Sequence, residues 1–197
     1  MRFVRGAGVE EAPLSANHSR CRGDFISFLL FVGGPWCPSF NTMNTQGLYP
    51  EGLGKFSIAS LNVKGLGNFK KRQLVAREFL NTEIVLIQET HGDQDQWNTW
   101  QKNFSNRKVF VSAGNRNSKG VAILLNKAWS EKFAITSGSD TEGRIVWSLL
   151  QKPNSGPGLL VVCVYAPNLK NSATVKASFC QFWEDVRAQI SNAIEPG

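Results

Sequence analysis

Three places in this 197-residue sequence put polar side chains at the end of an apolar run: Asn62 in SLNVKGL, Glu89 in LIQETH, and Tyr165 with Asn168 in VYAPN. Strand ends of this kind are where a sheet scaffold presents groups to a ligand. A lone carboxylate at Glu89 suits a hard divalent ion, because Mg²⁺ commonly takes one or two carboxylates and keeps several of its waters. Asn62 can donate to a phosphate oxygen or orient a water without adding charge, and Tyr165 offers an O–H donor that can support a phosphate. Pro167 stiffens the turn that aims Asn168. Each of these side chains can equally do no more than cap or satisfy loop backbone. Histidine is scarce, with only His18 and His91 in the chain. Multi-histidine zinc sites are therefore excluded, and His91 is the one imidazole placed for catalysis.

The elements that must hold these groups follow from hydrophobic period. Lys55 to Val63 (KFSIASLNV) reads as a strand, and KGLGNF after it supplies two glycines for a loop. The spacing predicts a helix over Lys70 to Asn81 with Leu74, Val75 and Phe79 on one face. Glu83 to Glu89 is a continuous apolar run closing on polar residues, the pattern of a buried strand. Trp97, Trp100 and Phe104 recur at helical spacing behind Asp93 or Asp95 as caps, and such a stripe is expected to pack in the core. Further strands are predicted at Lys108 to Ala113, Lys119 to Leu125, Arg144 to Leu150 and Gly158 to Pro167, with turns at SKG, SGSDTEG and PNSGPG. Val175, Phe179, Phe182, Val186 and Ile190 then mark a helix over Ala173 to Ile190, capped by Ser172 or Asn171. Strands that cluster instead of alternating strictly with helices favour an α/β sandwich over a doubly wound parallel sheet.

Composition adds a charge sign. The chain holds 22 Lys and Arg against 15 Asp and Glu, a net charge of +7, in a soluble, globular composition of 42% hydrophobic and 19% charged residues. Four basic and four acidic residues precede the cut after Glu51, and 18 basic and 11 acidic follow it. The excess thus sits in the part predicted to be structured, and it favours a polyanionic partner such as nucleic acid, phosphoinositide or a membrane surface. Lys70, Lys71 and Arg72 form a basic cluster that is either a nucleic-acid contact or an ordinary solvated helix face. None of Cys21, Cys37, Cys163 and Cys180 forms a C-x-x-C pair, and Cys163 in VVCVY reads as a buried thiol. Residues 1 to 54 sustain no period and read as a disordered leader, with Met43 as an alternative start. The apolar stretch Phe25 to Gly34 is too short to span a bilayer, and it lies behind Glu10, Glu11 and Asp24, which argues against a secretory signal. An intracellular protein, nuclear or cytoplasmic, is expected.

The ordered series SLNVKGL, LIQETH, KGVAIL and VYAPN resembles the endonuclease/exonuclease/phosphatase family of Mg²⁺-dependent phosphodiesterases. Within it, the sequence is most similar to the apurinic-type endonuclease domain of LINE-type non-LTR retrotransposons, whose basic helix and GVAILL strand it shares. The resemblance runs from about Lys55 to Ile190. It implies a partial four-layer α/β sandwich lacking its second half, with about one sheet present and an apolar face left open. It implies Mg²⁺ as cofactor, or Mn²⁺ in its place, DNA as partner, and a parent protein linked to a reverse transcriptase. Glu89 matches the family's metal-binding glutamate, and Asn62 the asparagine that helps order metal and phosphate. Tyr165 and Asn168 match the tyrosine and asparagine that contact the scissile phosphate. His91 matches a histidine usual after the glutamate in retrotransposon members, distinct from the catalytic histidine of a later Ser-Asp-His motif. Lys64 stands where repair-type enzymes carry an acid. Neither a GDFN-like motif after VYAPN nor the Ser-Asp-His motif occurs in these residues, and GDFI (Gly23 to Ile26) lies on the wrong side of the first motif. The expected function is that of a fragment of a DNA-hydrolysing endonuclease, inactive alone. The alternatives are a non-catalytic nucleic-acid-binding remnant, or a phosphatase or phosphodiesterase of the same fold acting on another phosphate ester.

Overall fold

In the computed structural model, residues 27–33, 41–43, 56–153, 158–166 and 173–194 are described. The architecture is set by strands whose two faces are both apolar. Strand β4 (Ile84–Gln88) is buried at every position. It lies between β3 (Ile58–Asn62), which runs parallel to it, and β6 (Val121–Asn126), which runs antiparallel. With β2 (Asn41–Met43) and β5 (Arg107–Ser112) at the edges, these form a five-stranded sheet of order β2-β3-β4-β6-β5. The second sheet has the order β1-β9-β8-β7, from β1 (Ser27–Gly33), β7 (Ala134–Ser139), β8 (Ile145–Gln151) and β9 (Leu159–Tyr165).

Alternation along these strands sorts the core into three slabs. Ile84, Leu86, Val121, Ile123 and Leu125 of the first sheet meet Val146, Leu150, Leu159, Val161 and Cys163 of the second. Val85, Ile87, Ala122 and Leu124 turn the other way, onto helices α1 (Phe69–Glu78) and α2 (Gln94–Trp100). Leu149, Leu160, Val162 and Val164 face α4 (Ala173–Ile194) through Phe182 and Val186. A short α3 (Lys127–Ser130) follows β6. The result is the expected four-layer α/β sandwich. It departs from expectation in one respect: strands of both sheets are present and pack on each other. The apolar face thought to be left open is instead the central slab. Cys163 sits in it, and burial pushes the thiol up to about 12, so it is an inert core group.

Two strands fall in stretches read as irregular. Ser27–Gly33 pairs parallel with β9, and Asn41–Met43 pairs antiparallel with β3. Their partners lie far away in sequence, so no local period marks them. Strand β7 was hidden differently, since AITSGS is a turn-like composition at a half-exposed edge. Its Gly138 lets the Trp147 ring lie where a side chain would meet it, at 2.6 Å from Cζ2.

Helix α1 begins behind Asn68, whose Oδ1 accepts from the Lys70 and Lys71 amides at 2.8 and 3.4 Å. It stops at Glu78, short of the expected Asn81. Its buried side is also rotated. Leu74, expected inside, is 47% exposed, while Arg72 and Val75 are buried. The Arg72 guanidinium donates to Leu66 O (2.6 Å), Gly67 O (2.9 Å) and Asn103 Oδ1 (2.9 Å), and lies 5.1 Å from the Trp100 ring centroid. Arg72 is therefore corrected from a candidate nucleic-acid contact to a core residue that ties α1 to the preceding loop. Burial lowers its pKa, but a guanidinium stays charged and keeps its donors. Arg107 does the same at the other end, donating to the carbonyls of Phe79, Leu80 and Thr82.

The cap of α2 is a reciprocal one: Asp93 Oδ1 accepts from Gln96 N at 2.8 Å, and Gln96 Oε1 accepts from Asp93 N at 3.2 Å. Trp97, Trp100 and Phe104 are all buried, as their spacing predicts. Replacing Arg72 with Ala should destabilise the fold by about 2–4 kcal/mol, because it leaves buried carbonyls unpaired as well as removing their donor. Urea unfolding would show a lower midpoint at unchanged slope, with Arg72→Lys recovering only part of the loss, since an ammonium lacks the planar fork.

Candidate active site

Because β3 and β4 are parallel, their C-terminal ends lie side by side, with Asn62 opposite Gln88 in register. The pairing continues past the strands: Val63 N donates to Gln88 O (2.9 Å), Gly65 N to Glu89 O (2.7 Å) and Leu66 N to Thr90 O (2.8 Å). The backbone twists sharply here. Lys64, Glu89 and His91 all have φ near +50° (46°, 53° and 52°), a left-handed conformation that costs a non-glycine residue about 1–3 kcal/mol and persists only where the surroundings enforce it. Glu89 is the first residue after a strand enclosed on both faces, so its side chain is the first that can leave the core.

That side chain meets three others singled out in the sequence. Asn62 Nδ2 donates to Glu89 Oε1 at 3.0 Å, while Asn62 Oδ1 accepts from Lys64 N at 3.1 Å, so both ends of the amide are held. His91 Nε2 lies 3.7 Å from Glu89 Oε2. The Tyr165 phenol arrives from the other sheet, at the end of β9, near enough to the Glu89 carboxylate to feel its charge. Burial first, and then this carboxylate, hold the phenol pKa above its ordinary value, with Arg144 pulling the other way. The phenol thus keeps its proton, and its capacity to donate, at neutral pH.

Arg144 is a residue the sequence reading passed over. It precedes β8, and the antiparallel register of β8 and β9 sets it beside Tyr165. Its Nη1 donates to Tyr165 O at 3.2 Å and its guanidinium lies 5.7 Å from the phenol ring centroid. The only local signal was one arginine at the mouth of an apolar run. Of the other expected residues, Asn168 lies outside the described residues. Lys70 is exposed at the start of α1, and Lys71 donates from Nζ to Val63 O at 2.9 Å, so part of its hydrogen bonding is committed to the loop.

Donor chemistry here is that of a hard-cation site of the sparse kind. Glu89 is a partly buried carboxylate with 13% of its side chain exposed, and the Asn62 amide N–H holds one of its oxygens in place. Among the described residues no three His, Cys, Asp or Glu gather as a metal cluster. One carboxylate fits Mg²⁺, which commonly keeps waters and completes its shell with substrate phosphate. It does not fit an ion that needs a full cage of protein ligands.

The architecture matches solved structures. The catalytic domain of APE2 from Xenopus laevis aligns with a TM-score of 0.52 at 17% identity, over 71% of this chain and 55% of that one. The AP endonuclease LMAP from Leishmania major gives a TM-score of 0.49 at 16% identity, over 59% of this chain and 42% of that one. TDP2 from D. rerio, complexed with single strand DNA product, gives 0.45 at 16% identity, over 72% and 56%. The APE2 alignment carries the assignment: this chain has the endonuclease/exonuclease/phosphatase type of fold, matched in part. The chain spans about half the length of the solved structures it matches. No protein-family model and no curated protein matches the sequence.

Glu89→Gln should let Tyr165 lose its proton at lower pH, because it removes the charge that opposes tyrosinate. A raised phenol pKa stabilises the fold fully below the unfolded value of about 10, and that stabilisation is lost as pH rises through the folded value. The variant should therefore lose less of its neutral-pH stability than the parent does as pH rises through this range. Near-ultraviolet tyrosinate absorbance measures the first effect, and with two tyrosines in the chain, Tyr165→Phe identifies its component.

Proposed function

We propose that this chain carries part of the active site of an Mg²⁺-dependent endonuclease that hydrolyses DNA phosphodiester bonds, with Mn²⁺ able to take the same place. The observation that carries the reading is the meeting of Asn62, Glu89 and Tyr165, from three separate motifs, in one group at the mouth of the two-sheet sandwich, where Asn62 holds the Glu89 carboxylate by a hydrogen bond and that carboxylate acts on the Tyr165 phenol. Glu89 would hold the ion, with Asn62 fixing the carboxylate, and the bound ion would supply charge neutralisation at the phosphate. Tyr165, kept neutral, can donate to a phosphoryl oxygen, as would Asn168, three residues further along the chain. Arg144 adds a guanidinium anchored beside that phenol, and Lys64 an exposed ammonium on the Asn62 loop.

The likeness of the four motifs to LINE-type elements supports a retrotransposon origin, a parent linked to a reverse transcriptase, and an intracellular site of action on DNA. The fold shared with AP endonuclease structures supports the reaction class. No helix among the described residues is long and apolar enough to cross a membrane. The 197 residues contain neither the GDFN-like nor the Ser-Asp-His motif beyond VYAPN, so groups that act as a unit with Glu89 are not in this sequence. Loss of such groups costs orders of magnitude in rate, and the polypeptide by itself should bind but scarcely cleave.

Mg²⁺ should raise the thermal midpoint of the parent and leave that of Glu89→Gln unmoved. A parent indifferent to Mg²⁺ overturns the metal assignment. Supercoiled plasmid should stay uncut by the 197-residue chain, and Mg²⁺-dependent nicking that Glu89→Gln abolishes would overturn the inactivity while upholding the site.

Exposed Lys70 favours the second reading, a nucleic-acid-binding remnant, over a small phosphate ester as ligand. DNA affinity should fall steeply with salt, and Lys64→Gln and Lys70→Gln should each weaken binding across all sequences and lower the slope of log K against log salt by about one. Unchanged slopes would remove DNA-backbone contact from this face.

A further inference from the structure

All the left-handed backbone among the described residues lies at one end of the molecule: Lys64 and Gly65, Glu89 and His91, Lys119 and Gly120, and Gly143. Main-chain hydrogen bonds join these loops into one layer. Gly65 N donates to Glu89 O (2.7 Å), Thr90 N to Gly120 O (3.0 Å), His91 N to Lys119 O (3.0 Å) and Gly120 N to Gly143 O (2.8 Å).

Thr90 sits at the centre of this layer, between left-handed Glu89 and left-handed His91, and is fully buried. Its hydroxyl oxygen has no hydrogen-bond partner among the described residues. The space on that side of Thr90 is closed by Gly120, which has φ +88° and no side chain. A Cβ at Gly120 would collide with Thr90 Oγ1 and would also stand 3.3 Å from Gly114 N and 3.4 Å from His91 N. A hydroxyl oxygen is smaller than a methyl group, so the oxygen of Thr90 occupies the one gap where the backbone of Gly120 comes closest.

We propose that the Thr90–Gly120 contact is the positioning device of the site: it sets the left-handed turn that holds the Glu89 carboxylate against Asn62 and Tyr165. The contact spans two strands, since Glu89 leaves β4 and Gly120 enters β6; the main-chain bond from Thr90 N to Gly120 O joins the two loops, and the Thr90 side chain, whose hydroxyl has no hydrogen-bond partner among the described residues, acts by shape. Both residues act through Glu89 and touch no reacting atom. The inference rests on the reading of Glu89 as the ion-binding carboxylate for its functional meaning, though not for its geometry. Partners that orient a metal ligand change metal affinity by about 10- to 100-fold when they are lost.

The test is carried on the full chain with two readouts. One is the side-chain amide resonance of Asn62, which reports its hydrogen bond to Glu89; the other is the Mg²⁺ concentration needed to raise the thermal midpoint. Gly120→Ala should move the Asn62 resonance to the position seen in Glu89→Ala and raise the required Mg²⁺ by about tenfold or more. Adding Thr90→Ala removes the atom that collides, so Gly120→Ala/Thr90→Ala should recover both readouts relative to Gly120→Ala, although both share the same backbone strain at position 120. Thr90→Val, with Gly120 intact, places a methyl in the gap and should displace the resonance, whereas Thr90→Ser keeps the oxygen and should not.

A folded Gly120→Ala with parental readouts overturns the proposal, as does a double variant that recovers nothing. If Gly120→Ala does not fold, Thr90→Val against Thr90→Ser decides alone, and equal resonances in these two overturn it. An Asn62 resonance that responds as stated, in a parent that Mg²⁺ never stabilises, upholds the positioning and overturns the functional reading of Glu89.

Discussion

Strand β4 is enclosed on every side, by α1 and α2 on one face, by the second sheet on the other, and by β3 and β6 along its edges. No polar side chain that needs water can sit within Ile84–Ile87, and Gln88 is tolerated at 1% exposure because its amide finds Ser60 Oγ at 3.1 Å. The chemistry of the segment is therefore driven to its end. The parallel partner β3 ends at the same level, so the loops after both strands must meet, and their side chains have one shared outlet. The second sheet brings β9 to that outlet as well. A carboxylate, an amide and a phenol from distant parts of the chain converge because three strands buried for packing reasons finish together.

The convergence is held at a cost in backbone strain. Glu89 and His91 are left-handed without being glycine, and glycines at 65, 120 and 143 absorb the close approach of neighbouring loops. Strain of this kind is tolerated where the hydrogen-bonded surroundings over-determine it. Here those surroundings are the main-chain bonds that continue past the ends of the strands, which makes the site a rigid extension of the sheet and not a free loop.

Charge is divided between two uses that composition alone cannot separate. The net +7 suggests a surface for a polyanion, but Arg72 and Arg107 spend their guanidinium groups on carbonyls that bracket α1. Arg116 and Lys119 are paired with Asp93 and Glu142. Lys64 and Lys70 remain exposed near the outlet, and Arg144 is anchored beside Tyr165. The field at the site therefore depends on fewer cations than the count implies, placed by the fold and not by the basic run in the sequence.

Sequence alone determined the elements whose period is local and the positions where polar groups end apolar runs. The buried run before Glu89, the Trp97, Trp100 and Phe104 stripe, and the motif order from Asn62 to Tyr165 are readable because each depends on neighbours a few residues away. Tertiary structure decided what depends on distant partners. It made strands of Ser27–Gly33 and Ala134–Ser139, turned Arg72 inward and Leu74 outward on α1, and packed a second sheet over the first. It also selected Arg144 and Thr90, residues with no motif of their own, since their significance comes from the backbone that passes beside them. A side chain's type limits the chemistry it can do, but only the register of strands and the approach of loops fixes which side chains share one small volume.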